Sequence, residues 1–417
     1  MFYYKLKGKI LISPVEYREL SRISESEAKN SKGLIYALTR LNPLKSRRSF
    51  SVTDPSLIFL EEEGIHLLQK PRKISSNLPF WLKEKIKEKR VTSLNTEYPN
   101  WQKVIAYQFP ISWKINIVGL GDVGGTLLIG LRLLGGKHLK GIGIYDKDHK
   151  RVKRWEWEAN QIFDPEVIQT YPEVYALKEK EIFDCDLLVF CATVGVPPLG
   201  EEQEKDVRFS QFEGNSKIIS EYAQEARKKS FKGIFAIVSD PVDLLCKTVF
   251  WVSNKNKKGD FDFKGLAAEQ IRGYGLGVMF ARAVYYSKLI PQTSNYYKEG
   301  RVFGPHGQGL VIANSIKNYD KKLSELLTYY TLQANLEIRG IGFKPYIAPA
   351  LSSACLPLIA TIRGKWHYST SFIGGVFMGA KNRLHPSGVE IERLDIPPDL
   401  EEKIKKSYQE LDNIYQC

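Results

Sequence analysis

The middle of this 417-residue chain predicts an α/β protein built on a doubly wound parallel sheet. Three observations carry that expectation. From Lys114 onward, short β-rich runs alternate with helix-like segments. The runs INIVGL, DLLVFCA and FAIVSD are almost wholly apolar, as strands covered on both faces must be. A glycine-rich turn, GLGDVG at 119–124, stands between the first of these strands and the first helix. Sheets of this kind open onto their ligands at such a turn.

Residues 1–110 are expected to form a small α+β module and a linker. MFYYKLKGKILIS and SLIFLEEEGIHLL read as β-like, PVEYRELSRI and KGLIYALTRL as helix-like. WLKEKIKEKR (81–90) has mixed charges at i,i+3 and i,i+4 spacing and predicts a solvated helix. Residues 91–112 are polar and aromatic with two prolines, and read as the linker. Residues 111–247 carry the doubly wound sheet, with TLLIGLRLLGG and NSKIISEYAQEARKK as crossover helices and GIGIYD as the second strand. In residues 248–417 the pattern changes to longer helices and short antiparallel strands, ending in a charged helix. That predicts an α+β second domain.

A hydrophobic content of 43% and an aromatic content of 12% suit a folded chain with a real core. No run approaches the roughly 18 apolar residues a membrane helix needs. MFYYKLKGKILISP has no long apolar run before a small-residue cleavage site, so it reads as mature protein. Cys185, Cys191, Cys246, Cys355 and Cys417 form no CxxC pair, which argues against a disulfide framework or zinc site and for a reducing, cytoplasmic setting. Net charge is +14. About +9 of it falls on residues 1–110, so that module is a candidate surface for an acidic or peptide partner, or simply a solubilised face.

GLGDVG is a GxGxxG, weak alone and strong in context: it follows a strand, opens a helix, and precedes Asp146 at the end of the next strand. Gly119 permits the tight turn, Gly121 lets backbone approach a pyrophosphate, and Gly124 lets helix and strand pack closely. The helix amino terminus offers free N–H groups to phosphates. A carboxylate at Asp146 accepts from ribose hydroxyls and repels a 2′-phosphate, favouring NAD; Lys147 and Lys150 soften that preference. The expectation is a Rossmann domain that binds NAD. No metal site is expected.

From about residue 113 onward the chain resembles the L-lactate/malate dehydrogenase family. The resemblance rests on ordered landmarks: INIVGLGDVGG, IYDKD, DCDLLVFCATVGVPP, RFSQFEGNSKII, VSDPVD, GYGLGVMFARAVYYS, FGPHGQG and PYIAPALSSA. It covers about three quarters of the chain and leaves residues 1–110 without a counterpart. It implies hydride transfer between a nicotinamide and C2 of a 2-hydroxy or 2-oxo acid, with assembly as a dimer or tetramer. It implies His306 as the acid/base, suited by an imidazole pKa near neutrality. It further implies Arg282 as the two-pronged carboxylate clamp, Arg208 as the loop arginine that polarises the carbonyl, and Asn215 as a cofactor-contacting residue.

The chain departs from the family pattern in three places. Met279 stands where the family has the aspartate that orients the histidine. Asp240 stands where the family has an asparagine, which suggests a relocated carboxylate partner for His306. The loop GVPPLGEEQEKDVR (195–208) has Pro198 where enzymes acting on dicarboxylates have an arginine, and it carries Glu201, Glu202, Glu204 and Asp206 against Lys205. An acidic lid disfavours malate. Lys344 is a candidate cation toward the substrate side chain. The implied function is an NAD-dependent oxidoreductase acting on a small 2-hydroxy or 2-oxo acid. The alternative is a catalytically impaired dinucleotide-binding sensor or scaffold with a partner-binding N-terminal module.

Overall fold

The computed structural model describes residues 1–71, 77–166, 171–194 and 204–414, with side chains in the last stretch described from residue 211. Among these residues, a six-stranded N-terminal sheet is built from β1 (Phe2–Leu6), β2 (Lys9–Ser13), β3 (Ser21–Arg22), β4 (Ile35–Thr39), β5 (Ser49–Ser51) and β6 (Val91–Asn95). Its order is β3-β1-β2-β4-β6-β5. Helices α1 (Glu25–Lys29), α2 (Phe80–Lys87) and α3 (Gln102–Ala106) accompany it. MFYYKLKGKILIS folds into the β1–β2 hairpin, turning at Lys7–Gly8, where both residues have positive φ. The expected helix in WLKEKIKEKR is α2.

Four N-terminal expectations are corrected. KGLIYALTRL contains strand β4, not a helix. All five β4 residues are buried, so no alternation betrays the strand. The expected linker begins with β6, a fully buried strand paired with β4 and β5. Its polar residues misled because they are satisfied inside: Thr92 donates to the Ser387 carbonyl at 2.9 Å, and Asn95 to the Leu41 carbonyl at 2.9 Å. SLIFLEEEGIHLL forms two 3₁₀ turns, Pro55–Leu57 and Ile65–Leu68, rather than a strand. PVEYRELSRI runs as turns into β3.

The doubly wound part follows as expected: β7 (Trp113–Val118), α4 (Asp122–Gly135), β8 (Leu139–Tyr145), α5 (His149–Asn160), β9 (Val174–Ala176), β10 (Leu187–Phe190), α6 (Glu204–Lys228), β11 (Ile234–Ile237), α7 (Val242–Asn254) and β12 (Ile271–Gly273). These strands are parallel, in the order β9-β8-β7-β10-β11-β12. Strand alternation sorts the cores. Leu187 and Val189 face Leu127 and Leu131 of α4, whereas Leu188 and Phe190 face Ile219 of α6 and Phe250 of α7. The chain winds away from β7 in both directions, so a crevice opens at the carboxyl ends of β7 and β10.

The remainder comprises α8 (Leu276–Ser287), α9 (Tyr296–Glu299), the hairpin β13 (Arg301–Phe303) and β14 (Val311–Ala313), α10 (Lys321–Gly340), α11 (Leu356–Ile362), β15 (His367–Ile373), β16 (Val376–His385), β17 (Gly388–Ile391) and α12 (Pro398–Ile414). Strand β15 joins β12 antiparallel at Gly273–Thr370, extending the parallel sheet into a nine-stranded mixed one. None of the described helices is long and apolar enough to cross a membrane.

The N-terminal sheet does not hang free. Ile12, Ala37 and Val91 share one core with Phe303, Met378 and Ile404. Arg47 Nε meets Glu63 Oε2 at 2.8 Å, both side chains almost fully buried. The carbonyl of Glu63 lies 2.5 Å from where a Cβ on Gly374 would be, so the β15–β16 turn presses directly on this segment. Removing one partner of a buried pair strands the other charge, at a cost of about 3–5 kcal/mol. Glu63→Ala is expected to lose stability of that size in urea unfolding. Replacing both Arg47 and Glu63 by Met is expected to recover most of it.

Candidate active site

The glycine turn leaves β7 at Gly119, whose φ is +91° and whose hypothetical Cβ would lie 2.6 Å from the Ala192 backbone nitrogen. Gly124 packs helix on turn so closely that a Cβ would meet the Gly119 carbonyl at 1.9 Å. At Gly121 a Cβ would meet nothing within 4 Å. No side chain caps the amino end of α4. Open space in front of uncapped N–H groups is a fitting cradle for a pyrophosphate. A fourth glycine, Gly125, serves packing: the Trp155 ring occupies the place of its Cβ, and Trp155 Nε1 donates to the Leu120 carbonyl at 3.2 Å.

Asp146 ends β8 as expected, but much of its carboxylate is already engaged. Oδ2 accepts the Leu120 N–H at 2.8 Å and Oδ1 the Asp148 N–H at 2.9 Å, and Arg151 Nη1 lies 3.3 Å from Oδ2. Arg151 Nη1 bridges both oxygens, 3.5 Å from Oδ1 as well, so a ribose hydroxyl would take the place of the arginine. The Arg151 guanidinium offsets part of the charge that would repel a 2′-phosphate. Lys344 lies 3.7 Å from Asp122 Oδ2 at the start of α4, so its partner is on the cofactor helix.

His306 sits in the turn between β13 and β14, where Gly304, Gly307 and Gly309 all have positive φ. Its backbone N–H donates to Asp243 Oδ2 at 3.0 Å, and Thr370 Oγ1 donates to Asp243 Oδ1 at 2.6 Å. Burial pushes the Asp243 carboxyl up to about 6; the Thr370 and His306 hydrogen bonds pull it down, and the Asp240 charge pushes it further up. Gly275, at the mouth of α8, leaves room for the imidazole: a Cβ there would lie 2.8 Å from His306 Cβ. His306 Nε2 lies 3.8 Å from Asp240 Oδ1, with the histidine nearly buried and the aspartate half exposed.

Asn215 clasps two strand ends. It accepts the Val194 N–H at 2.8 Å and donates to the Asp240 carbonyl at 2.7 Å. It thus fixes the backbone that carries Asp240. Arg282 on α8 is partly buried, donating through Nη2 to Asn335 Oδ1 and through Nη1 to Met279 Sδ at 3.8 Å. Burial lowers its pKa, while the charges of Tyr286 and Asp240 raise it. The structure therefore brings His306, Asp240 and Arg282 together, with Met279 buried behind the arginine. Arg208 lies within α6, and its side chain is outside the described ones, as are those of Glu204, Lys205 and Asp206. Pro198, Glu201 and Glu202 lie outside the described residues.

Sequence reasoning missed Asp243, Thr370, Gly275 and Asn335. Asp243 was within the quoted VSDPVD, but only the fold shows that it holds the histidine turn.

Residues 113–261 match the family described as lactate/malate dehydrogenase, NAD binding domain. This stretch, which holds the glycine turn and strands β7 to β11, is similar to the NAD-binding domain of that family. A match to that domain implies NAD(H) as the dinucleotide. The chain is 24% identical over 332 residues to an L-lactate dehydrogenase of Mesomycoplasma hyopneumoniae, covering 73% of this chain and 97% of that one. It is 27% identical over 204 residues to an L-lactate dehydrogenase of Mycoplasma genitalium, spanning 48% of this chain and only 57% of that relative. A lactate dehydrogenase from a Medee basin deep-sea metagenome library shares the fold, with a TM-score of 0.59 at 18% identity over 73% of this chain and 98% of that one.

Two outcomes check this site. Gly121→Val fills the cradle and is expected to weaken NADH binding at least 100-fold, read by nicotinamide fluorescence, with the melting temperature little changed. The Asp243 pKa is raised above its unfolded value of roughly 3.9, so the folded protein holds an extra proton between about pH 4 and 6. Stability from this group is therefore highest below pH 4 and declines as pH rises to 6, by about 3 kcal/mol in total. In urea unfolding, Asp243→Asn is expected to remove that slope.

Proposed function

We propose that this lactate/malate dehydrogenase relative is an NAD-dependent oxidoreductase acting on C2 of a small 2-hydroxy or 2-oxo acid. The approach of His306 Nε2 to Asp240 Oδ1 at 3.8 Å, with the Asp240 charge also acting on Arg282, carries the reading. When bound, the nicotinamide supplies or accepts the hydride. The chain supplies the rest. Gly119, Gly121 and Gly124 shape the phosphate cradle, and Asp146 accepts from the ribose. Arg282 grips the substrate carboxylate through two parallel hydrogen bonds, turning from Asn335 to do so. His306 gives or takes the hydroxyl proton at Nε2. Asp240 favours the imidazolium and lies close enough to contact the same hydroxyl. Arg208 polarises the carbonyl from the loop side. The acidic segment 201–206 disfavours a dicarboxylate such as malate, and a neutral or cationic side chain suits it better.

A second reading has an observation behind it. Met279 offers Arg282 a thioether in place of a carboxylate, and Asn335 occupies another prong of the guanidinium. On that reading the chain binds the dinucleotide without turnover and serves as a sensor or scaffold.

One experiment separates them. NADH is titrated into the protein, and a panel of 2-oxo acids is screened for loss of reduced-nicotinamide absorbance. Turnover that falls about 10²–10⁴-fold in His306→Gln and at least tenfold in Asp240→Asn, with NADH affinity unchanged, is the expected result. Tight NADH binding with no oxidation across the panel establishes the scaffold instead.

A further inference from the structure

A cavity of about 210 Å³ opens at the foot of the parallel sheet, where the N-terminal module, the start of β11 and the β16–β17 turn meet. It is distinct from the crevice above. Strand β11 begins beside it, at Gly233–Ile234, and leads at its other end to Asp240. Four strand residues, roughly 13 Å of chain, separate the two ends.

The walls are mixed in a particular way. Tyr36, Val104, Phe231 and Pro386 give an apolar lining contributed by all three units. The volume exceeds the ~150 Å³ that accommodates one benzene ring. The charges are one-sided. Arg48, in the lining and nearly buried, is paired with Glu269 at 3.2 Å, and Arg227 with Asp262 at 2.6 Å. Lys103, Lys232 and Lys264 also line the cavity, and none of them forms an ion pair among the described residues. They leave an excess of three positive charges around an apolar hole. Their mutual influence is real: burial, then the charges of Arg48 and Lys232, lower the pKa of Lys103. Like charges gathered over a partly desolvated surface repel one another unless an anion joins them.

We propose that this cavity binds a small organic anion, a phosphate or carboxylate carried on a ring-sized apolar body. The anionic group lies among Lys103, Lys232 and Lys264, and the ring lies against Tyr36, Val104 and Phe231. The site uses residues that the dehydrogenase reading leaves idle, and it gives the basic N-terminal module a ligand of definite chemistry.

The test is calorimetric titration of the full chain with phenyl phosphate and with benzoate, against inorganic phosphate and phenol as the separate halves. At least one aryl anion is expected to bind saturably and at least tenfold more tightly than either half; the tighter of the two identifies the anionic group. Lys103→Gln/Lys232→Gln, two exposed positions, is expected to lose at least tenfold of that affinity. Ala106→Trp, which fills the mouth, is expected to lose it as well. NADH titration of the same variants is expected to be unchanged, so failure here is distinguishable from failure of the catalytic reading. The proposal is overturned if neither aryl anion saturates, if phosphate alone binds as tightly, if phenol alone does, or if both variants bind like the parent chain.

Discussion

The candidate site depends on one buried carboxylate. Asp243, in the first turn of α7, holds the His306 backbone with one oxygen and Thr370 of β15 with the other. Those two partners come from a glycine turn and from a strand that joins the parallel sheet edge to edge. A burial cost that lifts its pKa to about 6 is tolerated because the carboxylate ties three separated segments of chain to one point. Gly275 then admits the ring, and Asn215 fixes the backbone of Asp240 on the opposite side. The imidazole is thus positioned by neighbours that hold its backbone and shape its pocket.

The N-terminal module belongs to the same mechanical unit. It shares a hydrophobic core with β16 and α12, and Arg48 reaches across to Glu269 and Gln270 just before β12. A chain extension attached only by a linker would swing. This one abuts the starts of β11 and β12, and β11 leads at its other end to Asp240. The junction cavity sits where a ligand would bridge module and sheet. Occupancy there would stiffen the base of β11 without touching the crevice.

Legibility followed the range of the interactions. The doubly wound half was readable because its signals are local: GLGDVG sets the turn within six residues, and apolar runs such as LLVF announce strands buried on both faces. The N-terminal sheet was misread for the same physical reason. IYALT is buried on every side, and VTSLN hides its polar groups against Leu41 and Ser387, partners about 54 and 295 residues away in sequence. His306, Arg282 and Asp240 were found through the resemblance; the fold sets His306 Nε2 3.8 Å from Asp240 Oδ1, and the Asp240 charge acts on Arg282. Asp243 and Asn335 could not be found that way. Their roles come from contacts with His306, Thr370 and Arg282, which no spacing rule encodes.

The proposed relocation of a carboxylate from position 279 to Asp240 would move charge rather than delete it. A carboxylate on α8 would sit beside Arg282, within one helical turn, and would pair with it directly. At position 279 the arginine instead meets a thioether and an amide, both weak competitors, so its guanidinium stays available to an incoming anion. The Asp240 carboxylate, just past the end of β11, lies 3.8 Å from Nε2, while Nδ1 of the same ring is buried. A substrate carrying its own second negative charge would find that side of the ring already anionic.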